Sequence, residues 1–488
     1  MIPLKPCIRY SFIFCTFILS FGCTVGPDYV KPTADTPPSY KEIGDTEWKV
    51  AQPSDDVKRG SWWEIYGDSQ LNALEEQVKI SNQNIAAAEA QYRQARALVQ
   101  GARAAYFPTA SLDASFTRSS RGSGSTAGLS AGASAARASS TVSDYLLSGN
   151  VSWEPDIWGK VRRTVEASEA NAQASSADLE SLILSLQAEL AQNYFQLCAI
   201  DAQKQLYDST VKAYQTFLEM TKNRYASGVA SKADVLQAET QLRTAQAQAI
   251  DIGVQRAQLE HAIALLIGKP ASAFSIPGSS LSARPPGIPV GMPSDLLERR
   301  PDIAAAERRV AAANAQIGVA KAAYYPNITL SASGGFESSH LSKWLTWPNR
   351  FWSVGTNVLE TVFDGGLRAS LTEQARAAYD ANVAAYRQTV LTGFQEVEDN
   401  LAALRILEQE ATVLEEALKA ARQSVVVILN QYKAGTVSYL DVVNVQTIAL
   451  NNERTALDIA GRRMTASVLL IKALGGGWSY IKQPDLVE

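Results

Sequence analysis

The chain has 488 residues, and its 45 lysines and arginines against 49 aspartates and glutamates leave a formal charge of -4. At ~150 residues per domain that length could hold about three compact units, while the scattered basic residues argue against a nucleic-acid partner. Two distant histidines, His261 and His340, and a cysteine set of Cys7, Cys15, Cys23 and Cys198 exclude a disulfide framework, a zinc finger and a cysteine-held iron–sulfur centre.

Residues 1–22 have the layout of a secretory signal: Lys5 and Arg9, an apolar stretch from Phe12 to Phe21, and the small Gly22 before Cys23. The stretch falls short of the ~20 residues that span a bilayer, so removal after export is expected. Ser20-Phe21-Gly22-Cys23 resembles a bacterial lipobox, with Leu19 four places before the cysteine where three is usual. That resemblance implies a lipid on Cys23. A simple signal peptide with an incidental cysteine is the alternative.

The rest divides into an anchored extended segment over 23–67, a first repeat over 68–268, a Pro/Gly-rich connector over 269–293, a second repeat over 294–475 and a tail over 476–488. The duplication is visible in the residues. Asn84-Ile85-Ala86-Ala87-Ala88-Glu89 returns as Asp302-Ile303-Ala304-Ala305-Ala306-Glu307, and Ala104-Ala105-Tyr106-Phe107-Pro108 as Ala322-Ala323-Tyr324-Tyr325-Pro326. Further on, Arg224-Tyr225-Ala226-Ser227-Gly228 with Ser231 and Asp234 returns as Gln431-Tyr432-Lys433-Ala434-Gly435 with Ser438 and Asp441.

Each repeat reads as short helix, two strands, long helix, turn and returning helix. The Ala, Gln and Arg content of about 68–105 and 294–323 predicts helices. The proline-free segments 160–225 and 366–432 predict helices on the order of 100 Å long at ~1.5 Å per residue. In them Tyr207, Val211, Tyr214, Leu218, Thr221 and Tyr225, and Leu414, Leu418, Ala421, Val425, Ile428 and Tyr432, alternate steps of four and three. That spacing predicts coiled-coil seams. Gly228 and Gly435 predict the tight turns into the returning helices, where positive φ is wanted.

Between the helices lie four segments of period-two alternation. Ala110, Leu112, Ala114 and Phe116 share one face, as do Tyr145, Leu147, Gly149, Val151 and Trp153; Ile328, Leu330, Ala332 and Phe336; and Trp352, Val354 and Val358. A soluble sheet with its apolar face on a core would show the same pattern. Aromatic residues near the strand ends (Trp153, Trp158, Tyr324, Tyr325, Trp344, Trp347) and a Gly/Ser/Ala-rich connection over 119–143 favour a membrane barrel instead. Four strands cannot close a barrel, and open edges in lipid are costly. Two copies would leave a nearly filled tube; three give twelve strands and room for water.

The chain as a whole resembles the outer-membrane efflux factors of the TolC type, in their OprM/NodT lipoprotein branch. The residues that carry this are Gly26-Pro27-Asp28-Tyr29-Val30-Lys31-Pro32, Leu297-Glu298-Arg299-Arg300-Pro301-Asp302-Ile303, the two Tyr-x-x-Gly turns and the Ala-Ala-Tyr-aromatic-Pro strand starts. The resemblance implies an α+β membrane protein: a homotrimer whose 12-stranded outer-membrane barrel continues into a helical tunnel in the periplasm. It implies a docked adaptor and an inner-membrane RND-type transporter as partners, beside outer-membrane lipid. No cofactor is implied. The expected function is a passive exit duct for drugs or other small molecules. A duct for protein secretion and a structural periplasmic coiled-coil lipoprotein are the alternatives.

A duct performs no bond chemistry, and no H-E-x-x-H, nucleophile elbow or phosphate loop is present. The resemblance puts the gate at the helical turns, around Tyr225, Asp234, Tyr432, Asp441 and Asn444. It implies that Asp234 links to the neighbouring turn, that Tyr432 ties the coils, and that Asp441 faces the pore in a ring of three carboxylates favouring cations. Val437 stands where that pattern has a linking arginine, and Asn444 where it has a second pore acid. For both aspartates, charge complementing a helix N-terminus is the alternative.

Overall fold

The computed structural model describes residues 24–37, 39–42, 61–120, 141–279, 285–288 and 299–476. The expected signal peptide, Cys23, parts of the connector and the C-terminal tail lie outside the described residues. The elements in order are a short 3-10 helix (Trp62–Tyr66), α1 (Ser69–Ser81), α2 (Gln83–Ala104), β1 (Thr109–Ser120), β2 (Thr141–Trp153), α3 (Lys160–Ala226) and α4 (Lys232–Leu266). The second half follows as α5 (Pro301–Ala322), β3 (Asn327–Ser338), β4 (Arg350–Leu359), α6 (Leu367–Ala434) and α7 (Tyr439–Ala473). The chain forms two compact units, one of Met1–Lys31, Gln94–Ala172 and Arg308–Val383, the other of Pro32–Arg93, Gln173–Glu307 and Ala384–Glu488.

In the first unit the four strands form one antiparallel sheet of order β1-β2-β3-β4. Its register aligns the apolar sets: Leu112 faces Gly149, Gly149 faces Gly334, and Gly334 faces Trp352. Likewise Ala110, Val151, Ala332 and Val354 form one row. The neighbouring row, Ser111, Asn150, Ser333 and Ser353, is polar, and Ser333 and Ser353 share a 2.7 Å hydroxyl contact. The apolar face is left uncovered: Leu112, Trp352 and Val354 are each at least 75% exposed. A soluble sheet would have laid a helix on that face, so the soluble alternative fails here.

At the helix-proximal end of the sheet the aromatics are held by their polar atoms. Trp153 Nε1 donates to Tyr106 O at 2.9 Å, and Trp158 Nε1 donates to Pro326 O at 2.8 Å while stacking on Tyr325. The Gly26–Lys31 signature is a strap on this end of the unit. Val25 N–H donates to Trp158 O, Asp28 pairs with the buried Arg163 at 2.8 Å, and Asn314 Nδ2 donates to Pro27 O. Among the described residues no helix is long and apolar enough to cross a membrane.

In the second unit the sequence predicts one helix over 68–105, but it breaks at Asn82. Asn82 is extended, its Oδ1 accepts from Asn84 N–H at 2.9 Å, and its Nδ2 donates to Leu266 O at 2.7 Å. The amide thus caps α2 and satisfies an orphan carbonyl at the end of α4. The second repeat rebuilds this joint with a different residue. Arg300, the counterpart of Asn82, donates to Ala473 O, the counterpart of Leu266 O, at 3.0 Å. Its guanidinium also pairs with Asp302 and Glu396, both at 2.7 Å. The larger side chain needs room, and Gly393 lies against it where the first repeat has Leu186.

Glu75 on α1 is fully buried, with neither carboxylate oxygen hydrogen-bonded. Burial pushes its pKa up from 4.5 to about 9. The unfolded chain ionises the group near 4.5, so the folded state is favoured most below that pH and loses this stability as pH rises to about 9. Glu75→Met is expected to raise the unfolding midpoint above neutrality and to flatten the pH dependence across that window. Calorimetry of the detergent-extracted protein measures both; an unaltered pH profile would refute the assignment.

Candidate functional site at the helical turns

The hairpin turns are built from one pattern used twice. Gly228 and Gly435 have φ of +74° and +80°. Gly228 N–H donates to Tyr225 O and Val229 N–H to Arg224 O; Gly435 and Thr436 repeat the pair onto Tyr432 and Gln431. These are Schellman caps, in which an L side chain at the left-handed residue would cost roughly 1–2 kcal/mol. Three residues on, Ser231 and Ser438 cap the returning helices, and Asp234 and Asp441 complete capping boxes. Asp234 Oδ2 accepts Ser231 N–H at 2.9 Å; Asp441 Oδ2 accepts the N–H and the hydroxyl of Ser438 at 3.0 and 2.7 Å. Within the chain both acids therefore serve their own helix N-termini.

The two turns differ in what the other hairpin places on them. Tyr432 is 4% exposed, whereas its counterpart Tyr225 is 46% exposed, with Lys232 Nζ 5.8 Å from its ring centre. Tyr432 packs against Tyr439 with 5.6 Å between ring centres, and Arg224 from the first hairpin lies 4.8 Å over its ring. Arg224 Nη1 also donates to Lys433 O at 3.3 Å. Tyr432, Tyr439 and Val442 join Tyr214, Leu218, Val235 and Leu242 in one core drawn from α3, α4, α6 and α7. Burial, then the neighbouring Tyr432, Tyr214 and Asp234, pushes the Tyr439 hydroxyl up to about 12. The hydrogen bonds of Asp234 stay within its own turn.

Val437 packs against this same core. It adds apolar area where the resemblance has an arginine, and Arg224 supplies a cation from the opposite turn. Gln241 Nε2 adds a second tie, donating to Thr447 Oγ1 at 3.1 Å. The sequence patterns place Arg224 in the repeated turn motif without a role, and do not single out Tyr439, Gln241 or Thr447. The repeat puts Tyr439 opposite Lys232 and Arg224 opposite Gln431, so both stand where the two turns differ. Asp441 and Asn444 are both exposed, three residues apart on one face of α7. Beside Arg224 an open groove of about 540 Å³ is lined by Thr216, Met220, Asn223 and Val229.

An uncovered apolar sheet face with free edges, joined to long helical hairpins, marks a membrane-embedded β-sheet protein of the channel type. Residues 74–269 and 292–476 match the outer membrane efflux protein family. The chain belongs to that family, and it is an outer-membrane component of efflux. It is 29% identical to the pyoverdine export outer membrane protein OpmQ of Pseudomonas aeruginosa, over 90% of this chain and 92% of that one. It is 30% identical to the toluene efflux pump outer membrane protein TtgC of Pseudomonas putida, over 96% and 95%. The solved outer-membrane channel OprN superposes with a TM-score of 0.85 at 29% identity, covering 93% of this chain and all of that one.

Proposed function

We propose that three copies build the working duct, closing one barrel of twelve strands whose helical hairpins continue into the periplasm. The observation that carries this is the open sheet, in which β1 and β4 each pair on one side only. Unpaired backbone in lipid costs several kcal/mol per group, so β1 of one copy meets β4 of the next. Cysteine pairs scanned along β1 and β4 are expected to give oxidised dimers and trimers and nothing larger. Monomer at every pairing would refute the barrel.

In this reading the duct carries out no bond chemistry and holds no cofactor. A periplasmic adaptor and an inner-membrane transporter supply the energy, and the groove beside Arg224 suits an adaptor helix. The strap at Val25 and Asp28 supports a lipid on Cys23, because it fixes the chain just after that residue beside Trp158. The relatives are named for pyoverdine and toluene, which are unlike molecules, so the cargo is a small molecule that the duct itself selects weakly.

Asp441 from three copies forms one acidic ring at the turns, with Asn444 next to it uncharged. Asp441→Asn is expected to reduce the cation preference of the channel severalfold in planar bilayers. An unshifted reversal potential in a salt gradient would remove Asp441 from the pore.

A further inference from the structure

Helices feed the sheet at one end, so the β3–β4 connection over 339–349 lies at the opposite, outward tip. It is a folded lip. Two 3-10 turns, Leu341–Lys343 and Trp347–Asn349, are locked by Lys343 O, which accepts from Thr346 Oγ1 at 2.6 Å and Asn349 Nδ2 at 2.7 Å. Trp344 lies 6.0 Å from Tyr145, which lies 4.7 Å from Phe116, so the lip is seated on the apolar face of the sheet. Yet Leu341, Leu345 and Trp347 remain 63%, 62% and 71% exposed.

The charges are sorted in a way that lipid contact alone does not require. By register, the apolar face carries two charged residues, Arg118 and Arg350, both beside the tip. Asp113, Asp144 and Glu337 all fall on the polar face. No acid occurs between Glu337 and Glu360, whereas Lys343 stands in the lip. Arg350 lies 4.0 Å over the Trp347 ring, which holds the guanidinium at the junction of apolar and polar surface.

We propose that this lip is a binding site for a phosphorylated glycolipid of the outer leaflet. Lys343 and Arg350 engage a headgroup phosphate while Leu341, Leu345 and Trp347 pack on its acyl chains, and Arg118 offers a separate cation three strands across and four residues along, on the order of 20 Å away. The surface is continuous with the lipid-facing sheet, and its charge complements a phosphate and no cation.

The test is native mass spectrometry of the detergent-extracted full-length protein titrated with diphosphoryl lipid A and with its dephosphorylated form. Diphosphoryl lipid A is expected to bind at least about fivefold more tightly than the dephosphorylated form, and Lys343→Ala with Arg350→Ala to abolish that difference. Lys343→Arg with Arg350→Lys is expected to retain it, as is Lys160→Ala, a cation at the other end of the sheet. Assembly of each variant is checked by its oligomer mass. Equal binding of the two lipids, or an equal loss with Lys160→Ala, would overturn the site. Displacement of the lipid by millimolar inorganic phosphate would assign the cations to a small anion and overturn it as well.

Discussion

Tyr432→Ala is expected to raise the conductance of the reconstituted channel and hold it open, and Arg224→Ala to do the same more weakly. Tyr432 is buried where four helices meet, so removing its ring costs about 3–5 kcal/mol of hairpin packing. Arg224 contributes a ring contact and one hydrogen bond to a carbonyl, together about 1–2 kcal/mol. The two changes share one contact, so their effects should fall short of additive. Tyr432→Phe separates ring from hydroxyl: the hydroxyl is buried without a hydrogen-bond partner, so Phe should leave the channel as closed as before. Single-channel recording decides this. An open Tyr432→Phe channel would mean that the hydroxyl, through another copy or a water, is the tie.

Arg300→Ala is expected to be the most damaging single substitution outside the turns. Its guanidinium, 6% exposed, holds Asp302, Glu396 and the Ala473 carbonyl, and so joins α5, α6 and α7. Breaking a buried pair by deleting one partner costs ~3–5 kcal/mol. Asp302 and Glu396 are 35% and 40% exposed and recover some hydration, which puts the loss at the lower end of that range. Arg300→Lys keeps the charge but lacks the planar fork, and should recover only part. The first repeat offers a sharper comparison, because it makes this joint with Asn82 and has a leucine, Leu186, at the position of Gly393. Arg300→Asn combined with Gly393→Leu should be more stable than Arg300→Asn alone. Thermal unfolding in detergent and the yield of assembled protein measure both, and a worse double variant would show that the two joints do not share a design.

Much of this molecule was legible from local periodicity. A strand puts alternate residues on opposite faces, so Leu112, Leu147, Leu330 and Val354 declared an apolar face before any partner was known. Proline-free stretches with seams such as Tyr207, Tyr214 and Leu218 announced α3 and α6 for the same reason. Gly228 and Gly435 marked turns because only glycine takes positive φ without strain. The duplication showed which segments correspond.

Correspondence failed wherever a residue's partner lies far along the chain. The cap that Asn82 puts on α2 is local, but its tie to the end of α4 depends on the carbonyl of Leu266, 184 residues away. Tyr225 and Tyr432 occupy the same position of the same motif, yet one is exposed and one is buried, because only the second receives Arg224 and Tyr439. The capping role of Asp234 and Asp441 was readable in Ser-x-x-Asp, while the tie from Gln241 to Thr447 was not. The sequence alone determined the four strands, the long helices and their turns, which faces are apolar and how the halves repeat, since these depend on neighbours within a few residues. Only the tertiary structure decided that the apolar sheet face stays bare, that an arginine from the opposite turn sits on Tyr432, and where the cations gather. Each of these depends on side chains brought together from distant parts of the chain.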